Sequence, residues 1–132
     1  MRKSALFILV ILGFLFTSFT TQQTIWLDEN LNKTSQEKAV YYKIGNKLDG
    51  EVSYYYKNKN LYRVVYFTDG KLEGKFNEFY NSGELREDGK YKNGLKEGNW
   101  KTYYRNGKIK SRGRYKNGNK VGIWKVFYKN DW

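Results

Sequence analysis

In the run that opens at Trp100, polar and apolar positions alternate: Trp100, Thr102 and Tyr104 fall on one side, and Lys101, Tyr103 and Arg105 on the other. Alternation with period two puts successive side chains on opposite faces of an extended chain, so the run reads as a β-strand. A second extended run covers 108–115. Turn dipeptides follow both runs, Asn106-Gly107 after the first and Asn117-Gly118 after the second. Asn-Gly is a strong hairpin signal because both residues accept positive φ. The two runs together predict a β-hairpin.

The hairpin recurs along the chain. Displaced against itself by 24 residues, the sequence brings Gly74, Gly98 and Gly122 into register, with Phe76, Trp100 and Trp124 two positions later and then Tyr80, Tyr104 and Tyr128. Gly89 falls on Gly113 and Tyr91 on Tyr115, and an eroded copy begins at Gly50. The copies therefore run 50–73, 74–97, 98–121 and, as a half copy, 122–132, after a leader or N-terminal cap at 21–49. A fixed period in this range marks a stacked repeat, in which each unit buries its apolar face against its neighbours. The predicted fold is all-β: one elongated antiparallel sheet of hairpin repeats. Phe76, Trp100 and Trp124, together with Tyr80, Tyr104 and Tyr128, are expected to form stacked aromatic ladders that supply most of the burial. Gly74, Gly98 and Gly122 are expected to serve tight turns or close backbone approach.

Residues 1–20 break the pattern. Arg2 and Lys3 precede an apolar run over 5–16, and Thr17, Ser18, Phe19 and Thr20 follow it. That order is the one found in a secretory signal peptide, with cleavage expected after Thr20. The run is shorter than the roughly 20 residues of a transmembrane helix. An uncleaved signal would leave the protein membrane-anchored, and a cleaved one would leave it periplasmic or extracellular.

Composition narrows the chemistry. The chain has 132 residues, 25 basic and 13 acidic, a net charge of +12, and no His, Cys or Pro. Cysteine or histidine metal sites, thiol nucleophiles, Ser-His-Asp catalysis and disulfide scaffolds are all excluded. Neither a cofactor nor a metal nor a small-molecule substrate is expected, and the chain reads as a non-enzyme.

The charge is unevenly placed. Ten basic residues and no acid lie in 98–130, whereas 21–97 holds 13 bases and 12 acids. Where one copy reads Glu84, Arg86, Asp88, Lys90 and Lys92, the next reads Lys108, Lys110, Arg112, Arg114 and Lys116. Side chains two apart on a strand share a face, so these five predict a basic stripe about 27 Å long. Asn77 and Asn81 likewise give way to Lys101 and Arg105, then to Lys125 and Lys129. Two readings stay open. Lysines can solvate a face and discourage edge association, or the stripe can bind an anionic partner. No nucleic-acid-binding motif accompanies it, so nucleic acid is not the expected partner. Asn130-Asp131 stands where earlier copies carry Asn-Gly, which suggests that Trp132 caps the last hairpin.

The pattern Gly-x-Trp-x-x-Tyr-Tyr-x-Asn-Gly-x-Ile-x-x-x-Gly-x-Tyr-x-Asn-Gly, from Gly98 to Gly118, resembles the bacterial variant of the MORN repeat. The leader, with Trp26-Leu27-Asp28-Glu29 and Ala39-Val40-Tyr41-Tyr42, is similar to the segment that precedes such repeats in some exported bacterial proteins. The resemblance implies a hairpin-repeat fold and a role in protein interaction or phospholipid association. In one branch it implies an antitoxin that neutralises a toxin by direct contact. The expected function is an exported binding or scaffolding module at the cell envelope. It would contact a protein partner or an anionic membrane surface through the basic C-terminal repeats. The antitoxin-like role is the alternative.

Overall fold

The computed structural model describes residues 21–128. The signal segment at 1–20, Lys129 and Trp132 lie outside the described residues.

Extended alternation and two-residue turns fold the chain into ten strands: β1 (Thr24–Leu27), β2 (Tyr41–Ile44), β3 (Gly50–Tyr56), β4 (Leu61–Thr68), β5 (Lys71–Leu72), β6 (Gly74–Phe79), β7 (Leu85–Lys92), β8 (Leu95–Tyr103), β9 (Ile109–Lys116) and β10 (Asn119–Val126). They form one open sheet in the order β1-β2-β3-β4-β6-β7-β8-β9-β10, with β5 paired to β4. Every pairing is antiparallel. The hairpin repeats thus stack side by side as a meander, in which each strand but the short β5 bonds to the strands before and after it in this order.

Two kinds of turn alternate. Asp69-Gly70, Asn93-Gly94 and Asn117-Gly118 hold positive φ at both residues and close two-residue loops, since Thr68 pairs with Lys71, Lys92 with Leu95 and Lys116 with Asn119. Asn106-Gly107 differs from its expected form: only Gly107 has positive φ. There the Gly107 N–H donates to the Tyr104 carbonyl (2.9 Å), and the Asn106 side chain accepts from the Lys108 N–H (3.0 Å). The asparagine supplies a side-chain acceptor in place of a left-handed backbone.

Two bulges recur in each repeat, and alternation alone could not predict either. In the first, three residues oppose one. Lys90 pairs with Glu97 and Asp88 with Lys101, so Gly98, Asn99 and Trp100 stand opposite Gly89. Arg114 pairs with Val121 and Arg112 with Lys125, which sets Gly122, Ile123 and Trp124 opposite Gly113. Gly74, Gly98 and Gly122 have positive φ and open these bulges. The close backbone approach falls to Gly89 and Gly113. A Cβ built on either would lie 2.2 Å from the indole of Trp100 or Trp124. In the preceding repeat the same position is Val65, and its indole counterpart is the smaller Phe76; both are buried in the main cluster. Bulk on one strand is thus exchanged for bulk on the next.

The core lies on one face and follows this column. Leu27, Val52, Tyr54, Tyr62, Val65, Phe76 and Trp100 form the buried cluster, with Trp124 at its margin. Rings alternate between strands: Phe76 to Trp100 (5.2 Å between centroids), Tyr91 to Trp100 (5.3 Å), Trp100 to Tyr115 (5.8 Å) and Tyr115 to Trp124 (5.1 Å). The expected ladder therefore runs through Phe76, Trp100 and Trp124, interleaved with Tyr91 and Tyr115.

Tyr80, Tyr104 and Tyr128 take a different form. The Tyr56, Tyr80 and Tyr104 hydroxyls donate to the carbonyls of Phe79 (2.7 Å), Tyr103 (2.6 Å) and Phe127 (2.8 Å), each 23 residues ahead. This column stitches repeats through hydroxyls, and at its end Tyr128 is exposed. On the opposite side, Glu73 and Glu97 accept from the Asn93 and Asn117 N–H groups (2.6 and 2.9 Å), tying each Asn-Gly turn to the repeat before it.

Candidate functional site

The second bulge decides which cations share a face. Glu78 pairs with Glu87 and Phe79 with Leu85, leaving Arg86 as the extra residue of β7. In the next repeat Thr102 pairs with Ser111 and Tyr103 with Ile109, so Lys110 is extra on β9. An extra residue rotates its side chain out of the strand's alternation. Arg86 turns to the core face, where it binds Glu78, and Lys110 sets its ammonium 5.8 Å from the Tyr104 ring. The expected five-residue stripe over 108–116 is broken at Lys110. Arg112, Arg114 and Lys116 continue it on the outward face, and Lys108 lies in the turn before β9, also exposed.

A cross-strand row replaces the stripe. Asp88 pairs with Lys101, Lys101 with Arg112, and Arg112 with Lys125, so three cations follow one carboxylate across β7, β8, β9 and β10. The bulge at Gly113 hollows this face into a groove of about 310 Å³, lined by Asn99, Trp100, Lys101, Arg112, Gly113, Arg114, Ile123 and Lys125. Four cations thus surround a shallow depression whose outer wall is Ile123, 85% exposed. Arg105 stands apart, with its guanidinium 5.2 Å from the Tyr80 ring centre.

Electrostatics separate this end from the middle of the sheet. Glu78, 1% exposed, takes Arg63 on one carboxylate oxygen (2.5 Å) and Arg86 on the other. Burial pulls the Arg63 guanidinium down, but the Glu78 charge and hydrogen bonds outweigh it and hold it above its usual range. Arg63 also covers the Tyr62 and Phe76 rings at 4.9 and 5.2 Å. Lys96 bridges to Glu87 (3.2 Å) and lies 4.1 Å from the Trp100 ring centre. One repeat later Glu78 becomes Thr102 and Glu87 becomes Ser111; the two hydroxyls share a 2.6 Å hydrogen bond. The cations of the last repeats lie against rings: Arg112 over Phe127 at 5.6 Å and Lys120 over Trp124 at 4.5 Å. Ring faces hold a cation without cancelling its charge, so the field of this end stays positive.

Sequence reasoning missed the ionic centre at Arg63, Glu78 and Arg86. In the other full copies the Glu78 position holds Tyr54 and Thr102, so no column marks it. The Glu73 and Glu97 column was readable, since both precede a repeat glycine.

Among the described residues no group of three or more Asp or Glu is placed to hold a metal, and no helix is long and apolar enough to cross a membrane. Lys43, buried at the opposite end, has its ammonium pushed down by burial and by Lys33, which shows the cost of enclosing a cation there.

No curated protein matches the chain. The MORN repeat variant model matches three consecutive segments, 48–69, 72–93 and 96–117, each spanning one hairpin of the meander from its leading strand to its Asn-Gly or Asp-Gly turn. With three matched hairpins in one continuous sheet, the chain belongs to the MORN repeat variant family.

Proposed function

We propose that this protein is an exported binding module of the cell envelope whose last two hairpins engage an anionic partner, either an acidic protein or an anionic membrane surface. MORN repeats are in general protein- or lipid-binding modules and not typically catalytic ones. The observation that carries the reading is the row of Lys101, Arg112 and Lys125, with Arg114 beside it, around a groove that contains no acid. Four cations on one face of a small sheet repel one another. An anionic partner relieves that repulsion, and salt screens both effects within about 8 to 10 Å at moderate ionic strength. Export is supported by the charged, apolar and small-residue order of residues 1–20.

Binding to phosphatidylglycerol vesicles and to an acidic protein surface across a salt series tests the contact, using the natural chain and the double variant Arg112→Glu with Lys125→Glu. Loss of binding to at least one of the two in the variant and at high salt is the expected result. Binding indifferent to salt and to charge reversal would overturn the proposal. Intact mass after cell fractionation tests export: a species shorter by about 20 residues outside the cytoplasm is expected. A full-length cytoplasmic species would point instead to the antitoxin-like role.

A further inference from the structure

The two edges of the sheet are unlike. Outside β1, the segment after Leu31 folds back. The Thr34 N–H donates to the Trp26 carbonyl (3.0 Å), the Asp28 N–H donates to the Asn32 carbonyl (2.9 Å), and Leu27 and Lys33 form a bridge. The β1 edge is therefore covered from Trp26 onward. β10 ends the strand order on the other side, and among the described residues no strand lies beyond it.

The repeat itself shows what such a neighbour would look like. β8 pairs with β9 through Gly98 to Tyr115, Asn99 to Arg114, Trp100 to Gly113, Lys101 to Arg112 and Thr102 to Ser111. Twenty-four residues on, the matching positions of β10 are Gly122, Ile123, Trp124, Lys125 and Val126. Their side chains have changed in the direction of a contact surface: Asn99 becomes Ile123, 85% exposed, and Thr102 becomes Val126, 57% exposed. Trp100 has ring neighbours on both flanking strands, whereas Trp124 has Tyr115 on one. An open edge of this kind offers main-chain hydrogen bonds that a lipid headgroup cannot match in register and that an extended peptide can.

Charge selects among peptides. A second copy pairing through β10 would set Lys120 and Lys125 against the same cationic strand of the other copy, with Arg112 and Arg114 one strand behind on each side, and its β1 edge is covered from Trp26 onward. Within the sheet, the strand that satisfies Lys101 from the other side is β7, which sets Asp88 opposite it. The structure assigns to β10 a partner of one kind: an extended acidic peptide segment that adds as an antiparallel strand, with a carboxylate opposite Lys125. This rests on the proposed reading of the last hairpins as the binding end, and it names the partner's chemistry and geometry.

The protein's own strands supply the probes. A peptide with the sequence of residues 84–93, carrying Lys90→Glu and Lys92→Glu, would place Gly89 opposite Trp124 and Asp88 opposite Lys125, as those residues already oppose Phe76 and Asn77 in β6. A peptide of residues 108–117 keeps the glycine and tyrosine positions but carries Arg112 in place of the aspartate. Titrated into the full-length protein at low salt, the acidic peptide is expected to bind at least tenfold more tightly than the basic one. It should slow amide exchange at 122–126 and lose at least fivefold in affinity when the protein carries Lys125→Glu. Methylating alternate backbone nitrogens of the acidic peptide should abolish binding. Equal binding by the methylated peptide would overturn strand addition while leaving an anion-binding face intact. Vesicle binding without peptide binding would overturn it in favour of a membrane partner, and concentration-dependent dimers that slow amide exchange at 122–126 would overturn it in favour of a second copy. Failure with vesicles, acidic protein and peptides alike would remove the parent reading too.

Discussion

Two consecutive repeats, 74–97 and 98–121, share a backbone and differ in how they treat charge. In the first, Glu78 gathers Arg63 and Arg86, and Glu87 holds Lys96. In the second, the acid positions hold Thr102 and Ser111, and the cations turn to rings or to solvent. The fit of glycine to indole is the same on both sides of this boundary, because a Cβ at Gly89 meets Trp100 and one at Gly113 meets Trp124 at the same 2.2 Å. Steric fit is thus the constant of the fold and charge is its variable. A family of such hairpins can alter its surface without altering its stacking.

The sharpest break of that comparison is a substitution in the constant part. Trp100→Ala should cost about 3 to 5 kcal/mol, since the ring is 2% exposed and packed on both sides. Trp124→Ala should cost about half as much, because Trp124 is half-buried at the margin of the sheet and its Nε1 has no partner among the described residues, whereas that of Trp100 donates to the Lys90 carbonyl (3.2 Å). Equal losses in chemical denaturation would mean that position along the stack does not matter.

Glu78→Gln tests the variable part. Leaving Arg63 and Arg86 against a neutral amide should cost about 3 kcal/mol. Replacing the cluster with the hydroxyl pair of the next repeat, by Glu78→Thr, Glu87→Ser and Arg63→Ser, should recover much of it.

Gly89→Val overpacks the indole and should cost about 1 to 3 kcal/mol. Combined with Trp100→Phe, it recreates the Val65 and Phe76 pairing found one repeat earlier. The double variant should be more stable than the sum of the single changes predicts, and a double-mutant cycle reads this directly. Additive losses would separate the two positions.

Alkaline pH should distinguish the two ends. Burial raises the phenols of Tyr54, Tyr62 and Tyr91 above their usual range, so the folded chain keeps protons that the unfolded chain releases near pH of about 10. Their contribution is whole below that pH and is lost as pH rises through the folded values. Lys43, lowered by burial, has the opposite sign but is one group against three. Alkaline unfolding should therefore begin in β3, β4 and β7, and hydrogen exchange across a pH series would show whether amides there lose protection before those of β9.

The smallest effect belongs to Tyr104→Phe. Losing the bond to the Phe127 carbonyl should cost about 1 kcal/mol or less at this exposed site, with local fraying of β10 as the readout.

Much of this was legible in the letters. The 24-residue displacement gave the hairpins, the Gly and Trp columns and the bias of charge toward one end. Strand alternation misplaced Lys110, because a bulge is a property of two strands in register and neither strand announces it alone. The ionic centre escaped for the same reason: Arg63, Glu78 and Arg86 come from three strands, and their neighbouring copies carry unrelated side chains. The tyrosine column was visible as aromatic but not as a set of hydroxyl donors, since stacking and tethering place the same residue at the same spacing.

Those tethers carry a mechanical consequence. A meander loaded at its two ends peels from the edge, because each strand is bonded chiefly to the next. The Tyr56, Tyr80 and Tyr104 hydroxyls each skip a strand, so an edge hairpin cannot yield until its bond to the hairpin before it has also broken. Extension under load would then proceed in steps of one repeat, each releasing about 80 Å of chain. A protein anchored at one end and occupied at the other would lengthen in graded stages under tension while its remaining hairpins stayed folded, and single-molecule stretching would resolve those steps.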